Sequence, residues 1–192
     1  MKPFITYEGM LVFDDNKKIS NNRIKLIQKY SKVSLGNLYN KPLPKSFSYI
    51  NTIEVLIFGP EFNQNVDNLP NISYLRFGYS FNQPIDNLPV TLKKLHLDSV
   101  QFNQPIDNLP PNLEILHIFG KFNQQINNLP NKLQTLSLCG DFNQPINNLP
   151  PTLKELSLGK QFNQPITNIL KTLVKLTICN KNYSFDLNYN YQ

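Results

Sequence analysis

A chain of 192 residues, 40% hydrophobic and 17% charged, can build one sizeable core, and no apolar run approaches the ~20 residues a membrane-spanning helix needs. The net charge of +6 sits at one end: residues 1–45 hold nine Lys/Arg against three Asp/Glu, whereas residues 46–192 hold ten of each. A phosphate-tracking surface needs clustered cations, so the neutral remainder excludes an extended nucleic-acid face and leaves only the N-terminal segment for such a contact.

Residues 1–13 lack a continuous apolar region and a small-residue cleavage site, so no signal peptide is expected. The reading is an intracellular protein, in the cytoplasm of the cell or of a host, with reduced thiols. Ile5 to Phe13 is strand-like, and Asn22 followed by Arg23 to Gln28 reads as a short capped helix. Lys17, Lys18, Arg23, Lys25, Lys29 and Lys32 read as a solvated face. Because the ends of a stacked fold expose core and sheet edge, residues 1–29 are expected to form an N-terminal cap.

From there a period governs the chain. Phe-Asn-Gln recurs at Phe62, Phe81, Phe102, Phe122, Phe142 and Phe162, with gaps of 19, 21, 20, 20 and 20 residues. A period of about 20 residues marks a solenoid, in which each rung buries its apolar face only against its neighbours. Aligned on the Phe, the unit reads L-x-x-L-x-L-x-x-x-F-N-Q-P-I-x-N-L-P-x-x. Its first half alternates, as in Leu156 and Leu158 inward with Glu155 and Ser157 outward, which predicts a β-strand. Rungs starting at Ile53, Ile72, Leu92, Leu113, Leu133, Leu153 and Leu173 then stack into a parallel sheet. The second half carries two prolines, which fix φ and remove donors, so extended or single-turn 3-10 backbone is expected there. A return path about as wide as the strand side predicts weak curvature.

A disguised rung precedes these: Tyr30, Val33, Leu35 and Gly36 fall at strand positions, and Tyr39, Asn40, Pro42 and Leu43 mimic Phe-Asn-x-Pro-Ile. The solenoid is therefore expected over 30–179, about eight rungs spanning roughly 34 Å, with 180–192 as a C-terminal cap or tail. The Asn after each Phe stands inside an apolar frame. Stacked at about 4.8 Å, these amides predict a ladder that bonds the turn backbone of adjacent rungs.

The outward strand positions form three columns across the sheet, and they are uneven. Tyr74, Arg76, Lys94, His96, His117 and Phe119 concentrate on three consecutive rungs, and Tyr/Arg-rich centres are what binding hot spots favour. His96 and His117 fall side by side, with only Asp98 near enough to assist; a zinc site wants three or four ligands, so no metal or other cofactor is expected. Cys139 lies diagonally from His117 at roughly 7 Å, with no third group to activate it. Cys139 and Cys179 occupy equivalent positions two rungs apart, about 10 Å, beyond disulfide reach.

The strand half L-x-x-L-x-L is the leucine-rich-repeat pattern, and the unit with Phe-Asn-Gln-Pro-Ile resembles the FNIP repeat, a divergent leucine-rich-repeat-like family of slime moulds and giant DNA viruses of amoebae. The match spans 53–178 closely and 30–52 loosely; Gln125 replaces Pro, Asn65 and Val66 replace Pro-Ile, and Ile169-Leu170 replaces Leu-Pro. The resemblance implies a mainly β solenoid that acts through interaction. In many relatives an F-box ahead of the repeats couples them to a ubiquitin ligase; the 29 residues before the first rung are too short and too basic for that module. The reading is a non-enzymatic protein–protein interaction module that recognises an unidentified partner through the β face. One alternative is a substrate-recognition arm joined to ubiquitin-ligase components through a separate protein. The other is a nucleic-acid contact by the basic N-terminus.

Overall fold

The computed structural model describes residues 4–5, 9–166 and 171–180; the variant turn at 167–170 and the tail from 181 onward lie outside them. One ten-stranded sheet runs through the molecule in sequence order, β1 (Phe4–Ile5), β2 (Leu11–Phe13), β3 (Lys32–Leu35), β4 (Val55–Phe58), β5 (Tyr74–Phe77), β6 (Lys94–Leu97), β7 (Ile115–Gly120), β8 (Thr135–Gly140), β9 (Glu155–Leu158) and β10 (Lys175–Ile178). Every neighbouring pair is parallel except β1 with β2, which is antiparallel. The strand-like stretch from Ile5 to Phe13 is thus two strands of a hairpin, not one.

Each central strand buries two alternate residues, from Leu56 and Phe58 to Leu156 and Leu158, all at most 2% exposed. Strand alternation directs them to one face, where the return segment meets them with Phe, Ile and the Leu before Pro. The prolines also build the way back into the sheet. The carbonyls of Pro89, Pro110, Pro130 and Pro150 accept from the N–H of Leu92, Leu113, Leu133 and Leu153 at 3.0–3.1 Å, closing a tight turn before each strand. Among the described residues the return path is otherwise irregular, apart from one 3-10 turn at Lys45–Tyr49.

The ladder phenylalanines are at most 2% exposed and stack nearly parallel, with centroids 6.0–6.3 Å apart and planes turned by 5–18°. Strands repeat at about 4.8 Å. The ring centroids thus stand farther apart than neighbouring strands. Tyr39 extends the column, 6.0 Å from Phe62, and its hydroxyl is buried with no hydrogen-bond partner among the described residues; burial pushes its pKa up to about 12.

The Asn ladder forms as a continuous chain. Asn63, Asn82, Asn103, Asn123, Asn143 and Asn163 each donate the backbone N–H to the side-chain oxygen of the equivalent Asn one rung back, at 2.8–3.1 Å. Most of the Gln side chains that follow donate to the same oxygens, as Gln144 does to Asn123 at 3.1 Å, which explains the Asn-Gln pairing. These amides are half-buried to exposed rather than deep. The ladder also starts earlier than the repeat: the Asn40 N–H donates to Asn16 Oδ1 at 3.0 Å. A second ladder links the Asp-Asn turns, with Asn87 donating to Asp67 at 2.9 Å and Asn108 to Asp86 at 3.0 Å.

Where strands turn outward, rungs approach most closely. Gly140 has φ +133° and a Cβ there would collide with the Gly120 carbonyl, so a side chain is excluded by conformation and by space. The rung after β6 carries one extra residue, and there the hydroxyl of Ser99, fully buried, lies 2.8 and 2.7 Å from the carbonyls of Tyr79 and Phe81, with one proton to donate between them.

The N-terminal helix, α1 (Asn21–Ile27), is capped by Ser20, whose hydroxyl accepts from the Arg23 N–H at 3.4 Å. The cap is thus Ser20 and not Asn22, which lies within the first turn. Ile24 and Ile27 lie three apart on the buried stripe. Arg23 is not simply solvated: it reaches Asp15 through two bonds of 2.8 and 2.7 Å and lies over the Phe13 ring at 4.9 Å. The guanidinium holds the Asp15 carboxyl below its ordinary pKa.

Candidate functional site

The register assembles the predicted residues as expected. Tyr74 pairs with Lys94 and Lys94 with Ile115; Arg76 pairs with His96 and His96 with His117; Phe119 pairs with Cys139. All six candidates therefore lie on β5, β6 and β7, projecting from the side of the sheet opposite the core.

Within this cluster Tyr74 and His96 have ring centroids 5.2 Å apart, and His96 and His117 4.4 Å apart, tilted by 43° and 44°. The three rings form a row across adjacent strands. Burial pushes both imidazoles below the ordinary histidine pKa, and the neighbouring His117 adds to the effect at His96. Burial likewise raises the Tyr74 hydroxyl. The row is consequently uncharged at neutral pH.

Arg76 Nε donates to Asp98 Oδ2 at 2.6 Å, a pairing the sequence reading missed because it weighed Asp98 only as a metal ligand. Lys94 is exposed, and no ion pair involving it occurs among the described residues. Phe119 is 50% exposed. Tyr79, 57% exposed and two residues past the end of β5, adds an aromatic at the same rim; its signal in the sequence was a large side chain directly after Gly78.

No group of three or more His, Cys, Asp or Glu able to hold a metal occurs among the described residues. Cys139 and Cys179 are free thiols; Cys139 Sγ lies 3.2 Å from Ser137 Oγ. A shallow groove of about 460 Å³ runs along the opposite rim, where strands begin, between Lys132, Thr152, Lys154 and Val174. It is open, and Glu114 and Gln134 also line it. Among the described residues no helix is long and apolar enough to cross a membrane.

A parallel sheet closed by stacked turns, with its other face open, defines a leucine-rich-repeat-like solenoid suited to protein–protein interaction. Three segments, 66–99, 102–141 and 142–181, match the FNIP repeat, and the chain belongs to that family. Among solved structures it is similar to CroV588, described as a novel circular LRR protein, with a TM-score of 0.75 and 35% sequence identity. The similarity covers 90% of this chain and 27% of that one, so the chain spans about a quarter of that relative's length. No curated protein matches it significantly.

Proposed function

We propose that the protein is a non-enzymatic recognition module that binds a partner protein through the open face of the sheet around Tyr74, Arg76, Lys94, His96, His117 and Phe119. One observation carries this reading. Parallel sheets normally have both faces covered, yet here one face presents a row of three adjacent, mutually tilted rings with a half-exposed Phe beside them. Desolvating such a cluster under a partner gives the hydrophobic gain of an interface centre, and Tyr and Arg are the residues that dominate such centres.

The test is affinity capture from the native cell with the wild-type chain and with Tyr74→Ala/Arg76→Ala/His96→Ala, after circular dichroism shows that both fold. The expected result is a partner retained by the wild type and lost by the triple variant. Equal capture by both would move the site to the turns or to the N-terminal segment.

A further inference from the structure

The open face is uneven, and its unevenness specifies what can lie on it. Outward residues of β8 to β10 are small or polar, among them Thr135, Ser137, Ser157 and Thr177. From β4 to β7 they are Val55, Ile57, Tyr74 and Ile115 around the two imidazoles, all half-buried. Four strands at about 4.8 Å and four residues at about 3.3 Å make a patch of roughly 14 by 10 Å. That area accommodates a few side chains of a short extended segment, not the surface of a domain.

Charge narrows the occupant further. Arg76 is neutralised by Asp98, and Lys93 is paired with Glu114 at 3.6 Å. Lys94 alone of these cations is left without a carboxylate among the described residues. It lies beside Tyr74 and Ile115 in its column and two residues before His96, about 6.6 Å along the strand. One end of the patch is thus a cation awaiting an anion; the other is an uncharged aromatic corner of His96, His117 and Phe119. An aromatic side chain laid there gains about 0.5–1.5 kcal/mol per ring pair beyond its burial. A single-stranded nucleic acid would also stack on such rings, but its backbone needs a run of cations, and between β4 and β7 the outward strand positions hold two, Arg76 and Lys94, of which Arg76 is already paired with Asp98.

Building on the reading of this face as a recognition surface, we propose that it binds an extended acidic-x-aromatic segment of a partner protein. The segment's carboxylate pairs with Lys94, and the aromatic side chain two residues along packs on His96, His117 and Phe119.

The experiment is selection of a random dodecapeptide phage library on the full-length chain at neutral pH, followed by fluorescence anisotropy on the enriched peptides made synthetically. Enriched peptides should share an acidic residue two positions from an aromatic one. Lys94→Gln should weaken their binding about tenfold, one charge-assisted contact's worth, and Lys175→Gln on distant β10 less than about twofold. Replacing the peptide's acid by its amide should cost the same with wild-type protein and nothing further with Lys94→Gln. Enriched peptides that lack the acid, or ignore Lys94→Gln while losing affinity for Phe119→Ala, would overturn this proposal and leave the recognition face standing. No enrichment, or equal binding to His117→Ala/Phe119→Ala, would overturn both. Tight binding of a fluorescein-labelled oligothymidylate that is lost with Lys94→Gln would assign the patch to nucleic acid and overturn the peptide proposal.

Discussion

Phe122→Ala removes one ring from the middle of the aromatic column, where Phe122 is 2% exposed and lies 6.0 Å from both Phe102 and Phe142. Deleting a buried Phe side chain costs about 3–5 kcal/mol, the spread reflecting how far the site can collapse. Collapse is restricted here. The rings on either side are held by their own neighbours at 6.2 and 6.3 Å, so the cavity stays open and the loss should fall in the upper half of that range, about 4–5 kcal/mol. Phe122→Leu keeps most of the buried volume and loses the two stacks, for about 1–1.5 kcal/mol. Urea denaturation followed by far-ultraviolet circular dichroism gives both values, with Tyr49→Ala, at a position 81% exposed, as a control expected within about 0.5 kcal/mol. Because each rung is supported only by its neighbours, Phe122→Ala should also split the transition into two steps. A loss of under about 1 kcal/mol, or one no larger than the control's, would refute the closely packed column.

Asn123→Ala deletes the oxygen that accepts from the Asn143 N–H at 2.9 Å and from Gln144 Nε2 at 3.1 Å, and should cost about 1–2 kcal/mol; Asn123→Asp, which keeps that acceptor, should stay within about 0.5 kcal/mol, and equal losses in the two would contradict the ladder. Tyr39→Phe removes a buried hydroxyl that has no partner among the described residues and should raise stability by about 1 kcal/mol, whereas a loss in the same denaturation assay would reveal a hydrogen bond to that oxygen. His96 and His117 have pKa values lowered by burial, so the unfolded chain binds more protons than the folded one below the ordinary histidine value of about 6.5. Their contribution is present in full above that pH and is lost as the pH falls through the lowered folded values. His96→Gln/His117→Gln should flatten the stability profile between neutral and mildly acidic pH; an unchanged slope would show that the imidazoles are not desolvated.

The repeat made most of this structure legible in advance. When each rung is displaced from the last by one strand spacing, residues at equivalent positions must meet, so spacing alone foretold the parallel register, the Asn ladder and the neighbours of Tyr74, His96 and His117. It also placed Tyr39 and Asn40 in line with positions they occupy. What had no period had no such signal. The hairpin of β1 and β2, the Ser20 cap and the double bond from Arg23 to Asp15 join unlike segments, and only the folded chain brings them together. Asn16 continues the ladder although its surroundings spell no Phe-Asn-Gln, because a ladder needs only an acceptor at the right height. The lowering of the imidazole pKa values by burial and the pairing of Arg76 with Asp98, which leaves Lys94 without a carboxylate among the described residues, came from the tertiary structure. Burial and side-chain direction, which sequence spacing does not encode, decide which charges are neutralised and which remain for a partner.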